Sequence, residues 1–239
     1  MATNLAGPLR PGNAPGGVST DFEYGPLGAY PAQDPSKVHE YWNDFDNYVT
    51  GEWTETLGSG TIAVATATVD GGALVLTTVT TSDDAFTGAQ AKGAFLGAAD
   101  KRLWFKTRLQ VDDATETDVV AGLYVTDTSP VASAPADGVY FIKLDGGLTV
   151  DLRVSNGGTT TTLSGLASMA NATMIELAFA YDPNAARVDA FVNGIRVGSA
   201  PATNFPAGDL LRPSLGVQNG SAVGTRALTV DYVLAAKER

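Results

Sequence analysis

Cysteine is absent from the 239 residues. That excludes disulfides, Cys-ligated zinc and a thiol nucleophile. Histidine occurs once, at His39. Neither a Ser/His/Asp or Cys/His constellation nor a zinc site of several imidazoles can form in the body of the chain. Positive charge is scarce, with 15 Lys+Arg against 26 Asp+Glu and a net charge of −11. Binding nucleic acid through its phosphates needs a basic surface, and so does adhesion to an anionic membrane. The acidity reads instead as a solubility device. No apolar run approaches the ~20 residues of a membrane-spanning helix. The first residues, Met1 to Pro8, hold neither a basic region nor an apolar core. No secretory signal is expected there, and synthesis and folding in a cytoplasm are.

What is present is a large apolar fraction, 44% against 17% charged, enough to bury a substantial core. Residues 1–40 differ from the rest. They hold Pro8, Pro11, Pro15, Pro26, Pro31 and Pro35, half of the 12 prolines, and show no periodicity. Such a segment is expected to be an extended arm that cannot offset its ordering entropy alone. Leu5, Leu9, Phe22, Tyr24, Leu27 and Tyr30 are spaced along it as anchors for a partner.

From about residue 41 the pattern becomes one of strands and tight turns. Leu103, Phe105, Thr107, Leu109 and Val111 alternate with Trp104, Lys106, Arg108 and Gln110. Similar alternation runs through Val119–Val125, Tyr140–Leu144, Leu148–Val154, Ile175–Tyr181, Val188–Val192 and Leu228, Val230, Tyr232, Leu234. Period two gives each strand one buried face. Asp145-Gly146, Asn156-Gly157 and Asn193-Gly194 supply the positive φ that two-residue hairpins require. About ten to thirteen strands are predicted, with at most one helical turn at Ala167–Ala172. The fold class is all-β: a two-sheet antiparallel jelly-roll sandwich over residues 41–239, with an extended N-terminal arm over 1–40.

Three segments resemble the concanavalin A-like, laminin-G-like jelly roll. Asp44-Phe45-Asp46 with Gly51-Glu52-Trp53 looks like its opening strand. The stretch Ile175–Tyr181, Val188–Val192, Asn193-Gly194 and Ile195–Val197 resembles its strand-NG-strand hairpin. Leu215–Val217 and Leu228–Val233 resemble its closing return. The arm, the β domain and the missing cysteine together resemble, in style, the auxiliary virion proteins of tailed bacteriophages. That second resemblance implies a non-enzymatic structural protein on a capsid surface, a decoration or cement protein. The arm would grip a major capsid protein or another virion protein, and the sandwich would form homo-oligomers. The alternative is a glycan-binding module of a phage tail or fibre.

The concanavalin-like fold hosts glycosidases. Their signature would be carboxylates on alternate positions of one strand, as retaining chemistry needs two acids facing one sugar. Glu52 and Glu55 have the wrong spacing for one face, and Glu176, Asp189 and Asp231 are single acids on separate strands. No catalytic residue, metal or cofactor is therefore assigned, and no enzyme is expected. Calcium candidates are Asp44, Asp46 and Asn47, Asp83-Asp84 and Asp112-Asp113, all better read as turn and loop acids. A glycan would need an exposed aromatic platform, for which Trp42, Trp53, Trp104, Tyr124 and Tyr140 are candidates. The Asn171-Ala172-Thr173 and Asn219-Gly220-Ser221 triplets match glycosylation acceptors by accident of sequence.

Overall fold

The computed structural model describes residues 36–65, 71–79, 85–90, 94–221 and 224–239. Sixteen strands run through them, more than the ten to thirteen that alternation suggests. In chain order they are β1 (Val38–Asn43), β2 (Trp53–Leu57), β3 (Thr61–Ala65), β4 (Ala73–Thr77), β5 (Ala85–Gln90) and β6 (Phe95–Leu96). The middle of the chain gives β7 (Leu103–Val111), β8 (Thr117–Tyr124), β9 (Gly138–Lys143), β10 (Thr149–Asn156) and β11 (Thr159–Ser168). The last five are β12 (Ile175–Asp182), β13 (Arg187–Val192), β14 (Ile195–Pro201), β15 (Leu210–Asn219) and β16 (Ala227–Glu238). No α-helix occurs among the described residues. The helical turn expected at Ala167–Ala172 is instead the end of β11 and a short turn.

The strands form two antiparallel sheets. The back sheet has the order β14-β13-β12-β7-β16-β4-β3, with β1 also paired to β16. The front sheet has the order β11-β10-β9-β8-β15-β5-β2, with β6 also paired to β15. This is a jelly-roll sandwich. Of the predicted hairpin turns, Asn193-Gly194 forms as expected, the second lies one residue on at Gly157-Gly158, and Asp145-Gly146 falls in a five-residue connection, 144–148, with only Gly146 at positive φ. Asn193 and Gly194 both adopt positive φ, 49° and 79°, and so do Gly157 and Gly158, 56° and 77°. The opening segment is displaced from expectation. Residues 44–49 form a loop and Thr50–Glu52 a single 3-10 turn, so the first described strand is β1, which pairs with the chain's end.

The core lies between the sheets and is apolar from both sides. Leu103, Phe105, Leu109 and Val111 of β7 meet Val119, Ala121, Leu123 and Phe141 of the front sheet. Phe179 stacks on Phe105 at 5.5 Å between ring centroids and lies 6.2 Å from Phe141, so three rings join the two layers. Each such side chain contributes roughly 1.5–3 kcal/mol on burial. Trp53 is also a core residue, packed against Phe45. His39 faces inward from β1 and packs on the Phe95 ring at 4.7 Å.

One strand departs from simple alternation. Val230 pairs with Leu109 but Tyr232 pairs with Arg108, so Asp231 is an extra residue that bulges out of β16. The bulge reverses the phase of the strand. Leu228 and Val230 point into the core before it, and Val233 and Ala235 do so after it. Tyr232 and Leu234, expected on the same face as Leu228, lie on the outer face instead.

On the outer face of the front sheet, two tyrosines each stand opposite a glycine. Tyr140 pairs with Gly122, and Tyr124 pairs with Gly138. The rings meet edge-on at 5.8 Å. The bare glycines give each ring room to lie over the neighbouring strand. A Cβ added at Gly122 would sit 2.5 Å from the Tyr140 Cα and the Val139 carbonyl oxygen, both fixed backbone. Gly122→Ala is expected to destabilise the fold by about 2 kcal/mol or more, since overpacking of this kind must move a strand. Urea unfolding followed by circular dichroism checks this. An unchanged midpoint would mean that β8 and β9 are less closely apposed than described.

Candidate functional site

The two outer faces of the sandwich differ in access. The part of the front face over β8 and β9 is closed by its own chain. Val120, Tyr124, Tyr140 and Ile142 form a buried cluster with Val131, which belongs to the segment 125–137 linking β8 to β9. The Tyr140 hydroxyl donates to the Pro135 carbonyl of that segment at 3.2 Å and lies 3.3 Å from Ser155 Oγ. Tyr124 and Tyr140 are fully buried, so neither offers a face to a ligand.

The back face carries the open aromatic. Trp42 is 50% exposed while its ring stacks on Tyr232, centroids 5.1 Å apart and planes inclined by 28°. β1 and the bulge in β16 bring these two together. Trp42 pairs with Leu234, and Tyr232 is the outward residue two positions earlier on the same strand. The Tyr232 hydroxyl donates to Glu176 Oε2 of β12 at 2.6 Å. Lys106 of β7 binds the same oxygen at 2.7 Å and lies 5.8 Å from the Tyr232 ring centroid. Beside them Arg108 Nη1 donates to Asp231 Oδ2, the carboxylate of the bulge, at 2.8 Å. Burial, and then the hydrogen bond to the Glu176 carboxylate, hold the Tyr232 phenol above its ordinary range. It therefore remains a donor at any physiological pH.

The cluster thus combines a half-exposed indole, a phenol, two cations and two carboxylates on one rigid sheet. An indole offers an apolar face to C–H groups, and the charged pairs offer donors and acceptors to hydroxyls. Tyr, Lys and Glu are also the residue types that move protons in general acid–base chemistry. The sequence names Glu176 and Asp231 only as isolated acids. Folding places them on the same face, with Lys106 and Arg108 between. Tyr232, Lys106 and Arg108 were missed because Tyr232 reads as a core residue until the bulge is known.

The other candidates take structural places. Trp104 also points from the back sheet's outer face, above Ala180 and Ala236, yet is only 1% exposed. Asp112 accepts from Ala227 N at 2.9 Å, and Asp113 accepts from Thr115 N and Glu116 N at 3.1 and 3.2 Å, as turn acids do. Asp44 lies against Gly71, and its carbonyl accepts from Gly72 N at 3.0 Å. Among the described residues no three His, Asp or Glu side chains converge as metal ligands. Asp83 and Asp84 lie outside those residues, as do all six anchors of the arm, Leu5, Leu9, Phe22, Tyr24, Leu27 and Tyr30. Asn219 is buried and bonded to Thr78, which removes it as a glycosylation acceptor.

No protein-family model matches the chain. No curated protein matches it either. Solved structures do share its fold. One is an endo-β-1,4-glucuronan lyase from the fungus Trichoderma reesei, at TM-score 0.58 and 11% identity, covering 82% of this chain and 94% of that one. Another is the Emp47p carbohydrate recognition domain, at TM-score 0.58 and 13% identity, covering 85% and 98%. A third is the Bacillus licheniformis β-glucanase, at TM-score 0.60 and 15% identity, covering 82% and 97%. The chain therefore has the concanavalin-like jelly-roll fold that the sequence resemblance implied.

This comparison overturns the expectation that the chain is not an enzyme. That expectation rested on the missing strand carboxylates, the single histidine and the absence of cysteine, and ran from those patterns to no catalysis at all. The same fold carries a lyase as well as a glucanase, so the absence of those patterns does not exclude other bond-breaking chemistry. None of the three supports a virion or capsid protein.

The geometry makes a direct optical prediction. Of the three tryptophans, Trp53 and Trp104 are 4% and 1% exposed and Trp42 is 50% exposed. Acrylamide should quench one component of the emission and leave the rest nearly untouched. Trp42→Phe should remove the quenchable component. Equal quenching of all three residues would mean that both the cover over Trp104 and the inter-sheet core around Trp53 are open in solution.

Proposed function

We propose that this chain is a carbohydrate-recognising jelly roll whose sugar-binding face is the outer face of the back sheet, centred on Trp42. The observation that carries this reading is the half-exposed Trp42 ring stacked on Tyr232, flanked by the Lys106–Glu176 and Arg108–Asp231 pairs. A pyranose ring stacks its C–H face on an indole and turns its hydroxyls to the rim. Here the rim supplies cationic donors and carboxylate acceptors that are already oriented by each other, so ordering them on binding costs little. The part of the front face over β8 and β9, where two tyrosines would otherwise serve, is occupied by the segment 125–137. The fold shared with a carbohydrate recognition domain and with glycan-cleaving enzymes supports the ligand class without assigning a particular sugar.

Attachment of the arm to a capsid, with the virion as location, draws no support from these comparisons, and its anchors lie outside the described residues. Glycan recognition is therefore preferred, and one experiment separates the two. Soluble β-glucans and polyuronates are titrated into the protein by calorimetry. The chain is expected to bind at least one of them, and Trp42→Ala to weaken that binding tenfold or more, about 1.4 kcal/mol. A chain lacking residues 1–35 should bind as the full chain does. If no polymer binds, or if Trp42→Ala binds unchanged, the assignment of the face is wrong. New reducing ends in the same mixtures show whether a bound polymer is also cut.

A further inference from the structure

Among the described residues each sheet has strands with an open side, and these edges are not alike: beside the ends of the two strand orders, β1 carries Glu40 and β6 has only two residues. In the back sheet, β3 has only five residues. β14 is bulged between Gly198 and Arg196, carries Arg196 and ends at Pro201. In the front sheet, β2 has five residues and carries Glu55. Short length, charge, proline and bulges are the devices that keep an edge from pairing with another chain. β11 lacks these devices at its start. It is ten residues long, its segment Thr159–Leu163 pairs with β10 without a bulge, and residues 156–174 include no charged side chain.

The pairing with β10 fixes which backbone groups are free. The two-residue turn at Gly157-Gly158 makes Asn156 and Thr159 a hydrogen-bonded pair. By alternation Val154 with Thr161 and Leu152 with Leu163 are hydrogen-bonded too. The N–H and C=O groups of Thr160 and Thr162 therefore point away from the sheet. Both residues are exposed, and no described strand pairs on that side. Thr161 faces inward and is held by Asn204, whose Nδ2 donates to Thr161 Oγ1 at 2.9 Å.

We infer that β11 pairs with β11 of a second copy of this chain, antiparallel, about a two-fold axis at Thr161. The run Thr159-Thr160-Thr161-Thr162 suits that operation. Thr160 of one copy faces Thr162 of the other and exchanges both main-chain hydrogen bonds, and the reverse pair does the same. Thr–Thr neighbours across antiparallel strands stabilise one another. Charge selects the occupant. The chain carries −11 overall, so most of its surface repels a second copy, whereas this edge is neutral and sets no like charges opposite each other. The pairing would make one continuous sheet from the two front sheets. It is independent of the glycan reading.

Sedimentation equilibrium of the full chain over about two decades of concentration tests the inference. The expected mass is twice 24.6 kDa at the upper end. The double variants Thr160→Lys with Thr162→Lys, and Thr160→Glu with Thr162→Glu, should each be monomers, because like charges then face across the axis. Mixed in equal amounts, they should return to the dimer mass, since Lys then faces Glu at both positions. Far-UV circular dichroism confirms that each variant is folded. Amide exchange on the unaltered chain supplies a second reading. The Thr160 and Thr162 amides should exchange more slowly as concentration rises, while the Thr161 amide is slow throughout. A monomer at every concentration overturns the inference, and so does a dimer that survives in both charged variants.

Discussion

The back sheet depends on one strand. β16 is the last strand of the chain, and it pairs with β1, β4 and β7, elements spread over the first half of the described residues. None of these local pieces is a complete sheet without it. β3 and β4 form a hairpin whose far side is β16, and β7 bridges β16 to the β12-β13-β14 group. Closing such long-range pairs carries the loop entropy of most of the chain, and antiparallel sandwiches fold slowly for that reason. The reward is a strand held on both sides, with Leu228, Val230, Val233 and Ala235 all in the core.

That same strand builds the candidate site. A residue inserted into a strand fixed on both flanks cannot slide away, so the bulge at Asp231 is held in register by the pairs before and after it. Its consequence is local and chemical. Asp231 reaches Arg108, Tyr232 turns outward to Glu176, and Trp42 arrives on the neighbouring β1 to cover the phenol ring. Four strands thus contribute to one patch, and none of them is a loop. Sites on paired strands hold their geometry better than sites on loops, which matters where binding relies on the angle of an aromatic face.

Alternation and turn residues were enough to read the sandwich from sequence, because they act locally. Asn193-Gly194 specifies its hairpin whatever surrounds it, and Leu103–Val111 shows its buried face directly. Three features were out of reach for the opposite reason. The bulge is a mismatch between two strands more than a hundred residues apart, and nothing near Asp231 announces it. The closure of the front face over β8 and β9 by the segment 125–137 is a tertiary event, so Tyr124 and Tyr140 read as surface candidates although they are buried. Trp42 and Trp53 both sit among polar neighbours while Trp104 lies between Leu103 and Phe105, yet Trp53 and Trp104 are buried and Trp42 is exposed, a difference that only packing makes. The exclusion of catalysis failed differently. It tested a few familiar residue patterns, the strand carboxylates and the histidine- and cysteine-based sites, and treated their absence as a test of all reactions.

The charged pairs around Trp42 bear on how stability and function are divided. Arg108 is nearly half exposed and its partner Asp231 mostly buried, with 46% and 9% side-chain exposure. Lys106 and Glu176 are 23% and 20% exposed. At that exposure the Lys106–Glu176 pair contributes roughly 0–1 kcal/mol once screening and side-chain ordering are counted, whereas Asp231 is buried and loss of Arg108 would leave its carboxylate without that partner, at a greater cost. The apolar core beneath them involves dozens of side chains at roughly 1.5–3 kcal/mol apiece. The patch therefore cannot be what keeps the sheets together. Its ion pairs serve instead to orient one another, with Glu176 held by both a phenol and an ammonium, and Asp231 fixed at the bulge by a guanidinium. Trp42 and Lys106 can be altered at little cost to the fold, whereas Arg108 and Asp231 are a pair to be removed together, since either change alone strands a charge. The chemistry of the face and the integrity of the sandwich are, to that extent, separable properties of this chain.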